Sequence, residues 1–141
     1  MRFMLIRKAD ADTEAGVIPT AEFFAEMQRY NEEMVDAGVF VQGQGLMASA
    51  RGARVRLRRG KPTVTDGPFT ETKELIAGFT MINVSSRDEA IAWARKWPAI
   101  DSEAEIEIRQ LFDVEDFGEN CTLVLHEREA RLREQAAVTR S

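Results

Sequence analysis

The apolar positions of this chain repeat with two different periods, and their order predicts the fold. Phe3-Met4-Leu5-Ile6 is an apolar run without helical spacing, which predicts a buried strand. The polar stretch from Lys8 to Gly16 predicts a surface loop after it. Pro19 and Thr20 then open a helix, with Thr20 as N-cap and Glu22 at the positive end of the helix dipole. Phe23, Met27, Tyr30, Met34 and Ala37 recur every three or four residues and make one apolar stripe. Gly38 stands where a left-handed C-cap is needed.

The second half of the pattern belongs to strands. Val39 to Met47 predicts a strand loosened by Gly43 and Gly45. Ala53 to Arg59 alternates, with Val55 and Leu57 on one side and Arg54, Arg56 and Arg58 on the other. The turn Arg59-Gly60-Lys61-Pro62 and the return Thr63-Val64-Thr65 make this a β-hairpin inserted between the main strands. Leu75 to Val84 is another apolar strand. Ser86 and Glu89 have capping-box spacing, and Ala90, Trp93, Ala94 and Trp97 give the following helix an inward face before Pro98 ends it. Glu105 to Phe112 alternates again, with Ile106, Ile108 and Phe112 on one side.

Strand, helix, strand, hairpin, strand, helix, strand is the order of an α+β, ferredoxin-like βαββαβ domain, with the first and third main strands in the centre. Both of those strands are apolar on two faces. Two helices cover one face of such a sheet, so the other face predicts a cover, and a second copy laid there with twofold symmetry is the simplest one. From Asp113 the chain becomes strongly charged, with Leu123, Val124, Leu125 and Leu132 interspersed. Residues 1–112 therefore read as the domain and 113–141 as a charged tail, helical from about Asn120 to Ala136 and disordered over its last few residues.

Composition narrows the possible functions. The 141 residues suit one domain, and a net charge of -5 argues against nucleic-acid and anionic-membrane partners. One cysteine (Cys121) and one histidine (His126) exclude an intrachain disulfide and a Cys/His zinc cluster. No segment has the roughly 20 apolar residues of a membrane helix, and the amino terminus lacks a signal-peptide pattern. A cytoplasmic protein is expected.

Candidate chemistry concentrates in Thr63-Val64-Thr65-Asp66-Gly67-Pro68-Phe69-Thr70-Glu71-Thr72-Lys73-Glu74. Asp-Gly-Pro is turn chemistry: Asp bonds forward to backbone amides, Gly permits positive φ, and Pro fixes the next φ. The bend can hold a carboxylate at a defined place. Asp66-Gly67-Pro68-Phe69, with the preceding threonines and the later Gly78-Phe79 strand and Trp93 helix, resembles the signature of the DGPF-motif branch of the YCII-related proteins. The resemblance runs to about Phe112 and leaves the tail uncovered. It implies a dimeric α+β barrel, a cleft lined partly by the motif, and cofactor-free enzymes of small-molecule metabolism, some with a suspected His–Asp pair. It also implies an association of some relatives with extracytoplasmic-function sigma factors.

Here the domain has no histidine to partner Asp66, so a dyad would require His126 from the tail. Asp66 alone, partly buried against Pro68 and Phe69, is the candidate acid or base. The plainer reading is that Asp66 only caps its own turn. Gly67, Pro68, Phe69 and Lys73 are the candidate binding residues, with a solvated loop as the alternative for Lys73. Arg51, Arg54, Arg56, Arg58, Arg59 and Lys61 form a run without acidic residues, suited to steering a small anion or simply to an exposed hairpin face. No aromatic residue lies among them for base stacking. Gly43-x-Gly45 lacks the rest of a dinucleotide fingerprint. Asp10, Asp12 and Glu14 lack the spacing of a calcium loop and read as solvated. No metal or cofactor is expected, and Cys121 reads as an inert thiol. Two functions follow: a cofactor-independent proton-transfer enzyme acting on a small anionic organic molecule, or a non-catalytic ligand-binding or accessory domain.

Overall fold

The computed structural model describes residues 1–140; Ser141, at the end of the expected disordered segment, lies outside them. The chain divides into two compact units, Met1–Gln110 and Leu111–Ser141. The first holds β1 (Arg2–Lys8), α1 (Ala11–Glu14), α2 (Ala21–Asp36), β2 (Phe40–Gly45), β3 (Ala53–Arg58), β4 (Lys61–Asp66), β5 (Ile76–Asn83), α3 (Arg87–Arg95) and β6 (Ile106–Gln110). The second holds a 3₁₀ segment, Val114–Asn120, and α4 (Leu123–Thr139).

The main sheet has the order β2-β5-β1-β6, and its three pairings are antiparallel. This is the order of a split βαββαβ unit, with the first and third main strands central. The hairpin β3-β4 forms a separate two-stranded sheet. Register sorts the central strands into two faces. Phe3 opposes Ile82, and Leu5 opposes both Thr80 and Ile108. These residues face the helices, and Phe3, Leu5 and Ile82 join Tyr30, Met34, Val39, Val84 and Ala90 in the core. The Tyr30 hydroxyl donates to the Trp93 carbonyl at 2.7 Å, and its ring meets Trp97 edge-on at 5.5 Å, which ties α2 to α3. Truncating a core side chain such as Met34 to alanine costs about 2–5 kcal/mol.

Met4 opposes Met81 and Arg109, and Ile6 opposes Phe79 and Glu107, on the face away from the helices. The four apolar residues are half-buried at the centre of that face. Gln42 and Gln44, opposite Met81 and Phe79, give it one polar rim, and Glu107 and Arg109 give it the other.

Several local expectations are corrected. The polar stretch after β1 contains a helix: Asp10 accepts from the Thr13 amide while the Thr13 hydroxyl accepts from the Asp10 amide, a complete capping box. Ala37 lies outside the buried stripe of α2, because it is the C-cap residue and is exposed. Gly38 does adopt the left-handed conformation, with φ 75°. At α3, Ser86 accepts from the Glu89 amide, but the Glu89 carboxylate bonds Ser85 in place of the N-cap amide. In the second unit α4 starts at Leu123, N-capped by Thr122, and continues to Thr139 through residues expected to be disordered. Its Arg133–Glu129 pair, one turn apart, supports that extension. Phe112 stacks on Phe117 at 4.9 Å, and a groove of about 550 Å³ in this unit is lined by Phe117, Cys121, Leu125 and Leu132 among others.

Candidate functional site

The motif leaves the end of β4 at Asp66 and passes through a 3₁₀ turn, Thr72–Glu74, before β5 begins. Its bend is held from outside. The Gly67 amide donates to the Gly52 carbonyl at 3.0 Å, and the Phe69 amide donates to Ser49 Oγ at 3.0 Å. The Gly67–Pro68 peptide is cis. Positive φ does not explain this glycine, which is absent from the left-handed positions. Close approach does: a Cβ on Gly67 would lie 1.7 Å from the Ser49 carbonyl oxygen.

Ser49 is fixed in turn by Glu14. The Ser49 amide donates to Glu14 Oε2 at 2.8 Å and its hydroxyl to Oε1 at 2.5 Å. The hydroxyl first, and the amide second, hold the Glu14 carboxyl below its ordinary value. Glu14 ends α1, whose N-cap Asp10 receives Arg7 Nη2 at 3.0 Å. Arg7 also grips Asp101 with two bonds, of 3.0 and 2.6 Å, and donates to the Lys8 carbonyl at 2.6 Å. Trp97 Nε1 adds a third bond to Asp101 by donating to it at 3.0 Å. The hydrogen bond to Asp101 is the leading cause that raises the Arg7 pKa, and the Thr13 amide is the leading cause that lowers that of Asp10. A continuous set of bonds thus runs from Trp97 through Arg7 and α1 to the motif.

Above the bend, the Arg54 guanidinium lies 3.9 Å from the Phe69 ring centre, within cation–π range, and 3.5 Å from Glu71 Oε2. Both members of that ion pair are about half exposed, so water and salt screen it. Glu71 is held low mainly by its own backbone amide, with Arg54 a lesser cause.

Asp66 is exposed, and its carboxylate has no hydrogen-bond or ion-pair partner among the described residues. The expected forward bonds to the turn amides are absent, because Gly52 and Ser49 occupy those amides. Phe69 and Gly67 are half-buried, while Pro68 and Lys73 are exposed. The structure therefore brings Asp66, Gly67, Pro68 and Phe69 into one bend under Arg54 and leaves Lys73 on the turn that follows. His126 lies in the first turn of α4, in the other unit. Asp10 and Glu14 do not converge on a cation, since Arg7 and Ser49 occupy them. Among the described residues no group of three or more acidic, His or Cys side chains is placed to hold a metal ion. The sequence reading missed Ser49 and Glu14 as bend supports; the Asp10-x-x-Thr13 spacing was the available sign that α1 exists to carry Glu14.

The YCII-related domain model matches residues 1–115. The chain belongs to the YCII-related family. This YCII-related chain is 36% identical over 70 residues to an uncharacterised protein of Rhizobium meliloti (strain 1021). That match covers 50% of the chain and 56% of the relative, so it spans little more than half of the relative's length. Among solved structures it is similar to the 5-chloro-2-hydroxyhydroquinone dehydrochlorinase of Burkholderia phenoliruptrix AC1100 in complex with 2,5-dihydroxybenzoquinone. The identity there is 15%, the TM-score 0.45, and the overlap 79% of this chain and 94% of that one. Among the described residues no helix is long and apolar enough to cross a membrane.

Proposed function

We propose that this YCII-related chain, with its DGPF motif, binds a small anionic organic molecule at the motif bend. Asp66 then moves a proton to or from that molecule without a cofactor. The observation that carries this reading is the free Asp66 carboxylate, next in sequence to a bend fixed through Gly52 and Ser49. General acid–base catalysis needs a group whose position is fixed but whose lone pairs are not already engaged in the fold. Arg54 beside Phe69, with Arg56 on the same face of β3, supplies cationic groups for an anionic ligand. A homodimer formed across the half-buried face of Met4, Ile6, Phe79 and Met81 supplies the enclosure that a single copy lacks.

The exposure of Asp66 in one copy favours a second reading, in which the same bend binds a ligand or docks a regulator without chemistry. Salicylate and hydroxybenzoquinones are suitable probes. In the enzyme reading Asp66→Asn keeps binding of both probes within a few-fold and abolishes catalysed exchange of the hydroxybenzoquinone ring C–H protons with solvent, or turnover of that probe. Unchanged exchange or turnover in Asp66→Asn rules out the catalytic role.

A further inference from the structure

The groove in the second unit plays no part in the motif bend. It lies wholly within Leu111–Ser141, and its lining, apart from Phe112 and Val114, falls beyond the residues 1–115 that the family model matches. Its volume of about 550 Å³ is that of an ordinary small-molecule pocket. Two walls form it. On α4, Leu125, Arg128 and Leu132 fall three and four positions apart, which sets them on one side of the helix. Phe112 and Phe117 belong to the other wall, with their rings stacked at 4.9 Å and 22°. Such side chains are normally covered, yet Phe112 is 68% exposed and Phe117 47%, and both leucines are exposed as well.

Charge narrows the occupant. Glu129 and Arg133 line the same groove but bind each other at 3.0 Å. Arg128 has no hydrogen-bond or ion-pair partner among the described residues, and it stands one turn from each leucine. The groove is therefore an apolar channel with one uncommitted cation midway along its helical wall. A cationic ligand is repelled there, and a neutral one leaves the guanidinium unanswered. The stacked rings favour a flat aromatic body over a flexible chain, because a further ring extends the stack. From Leu125 to Leu132 the wall runs about 10 Å along the helix axis, more than one ring fills.

We infer that this groove is a second binding site, for a fused two-ring aromatic carboxylate. The rings lie against the Phe112–Phe117 stack and the leucines, and the carboxylate accepts from the Arg128 guanidinium. Cys121, the chain's one cysteine, also lines the groove, so its thiol reports whether the site is filled. The site uses neither Asp66 nor the motif.

An amide-resolved titration of the full chain with 2-naphthoate tests it. The uncharged 2-naphthamide, the non-aromatic decanoate and the one-ring salicylate serve as contrasts, and wild type, Arg128→Gln and Asp66→Asn are compared. The inference predicts naphthoate shifts concentrated on residues 112–133, slower alkylation of Cys121 by iodoacetamide as the site fills, and the same affinity in Asp66→Asn. Arg128→Gln should weaken naphthoate at least about threefold while leaving 2-naphthamide, already weaker by a similar factor in the wild type, unaffected. Salicylate, too short for the groove, should leave residues 112–133 unshifted whether or not it binds the motif bend. Should Arg128→Gln lose helix in the far-ultraviolet spectrum, the ratio of naphthoate to naphthamide affinity in the wild type decides. Naphthoate shifts that map to residues 66–74 instead, or an affinity that responds neither to the probe's charge nor to Arg128, overturn the inference. Decanoate bound more tightly than naphthoate makes the occupant an acyl chain. Shifts of the same resonances on raising protein concentration alone make it a helix of another copy. Either result overturns the inference as well.

Discussion

Asp101, in the loop between α3 and β6, and Asp66, the last residue of β4, are both carboxylates of the first unit, and the fold treats them in opposite ways. Asp101 is 8% exposed and accepts from Nε and Nη2 of the Arg7 guanidinium, itself 11% exposed, with Trp97 as a further donor. Asp66 is open and has no partner among the described residues. The first arrangement is what a buried charge requires, because an ion removed from water is tolerated only when its lone pairs are satisfied. Asp66 gains nothing of the kind from the fold. The comparison separates a carboxylate that holds the architecture from one available to something outside it.

If that contrast is sound, substitutions at the two positions should lie at opposite ends of a stability scale. Asp101→Ala leaves the Arg7 charge with fewer partners in a dry site and is expected to cost about 3–5 kcal/mol, read by chemical denaturation. Replacing both Arg7 and Asp101 by apolar residues of similar size should cost less than that single change, since no orphan charge remains. Gly67→Ala comes next. Its Cβ meets backbone, and forcing it in should cost about 1–3 kcal/mol and shift the amide resonances of residues 49–52 and 66–69. Ser49→Ala removes the acceptor of the Phe69 amide and the donor to Glu14, with an expected loss of about 1 kcal/mol.

A pH dependence follows from the same bonds. Glu14 and Asp10 are held below their ordinary values of 4.5 and 3.8, so the folded state binds their protons less readily than the unfolded chain. Their contribution is complete above those ordinary values and is lost as pH falls through the lower folded ones. Acid unfolding of Glu14→Gln should therefore show a shallower pH dependence below about 4.5 than the wild type. Smallest of all is Asp66→Asn, expected to change stability by less than about 0.5 kcal/mol, as befits an exposed side chain without partners.

The sequence exposed the parts of this fold that rest on periodicity. The stripe Phe23, Met27, Tyr30 and Met34, the two-faced strands of Phe3–Ile6 and Phe79–Ile82, and the Thr20 and Ser86 caps are all local patterns that core burial reinforces. The alternation of Arg54, Val55, Arg56 and Leu57 placed the hairpin correctly but could not say that it would stand apart from the main sheet. The motif was legible as a bend, and its mounting was not. Ser49 and Glu14 lie 20 and 55 positions from Phe69, and nothing local in the sequence joins them. The same distance in sequence hid the Arg7–Asp101 pair, which is 94 positions apart. Gly67 looked like a residue chosen for its backbone angles and turned out to be chosen for the space beside Ser49.

The most direct test compares wild type and Asp66→Asn in one experiment: an amide-resolved titration with salicylate, followed by chemical denaturation of each protein. The account predicts shifts concentrated on residues 66–74 and on β3 in the wild type. In the variant it predicts those shifts altered around position 66 with the unfolding free energy unchanged. Shifts that map elsewhere and are indifferent to the substitution, or a variant that loses stability on the scale of Asp101→Ala, would contradict the claim that Asp66 is held free for a ligand.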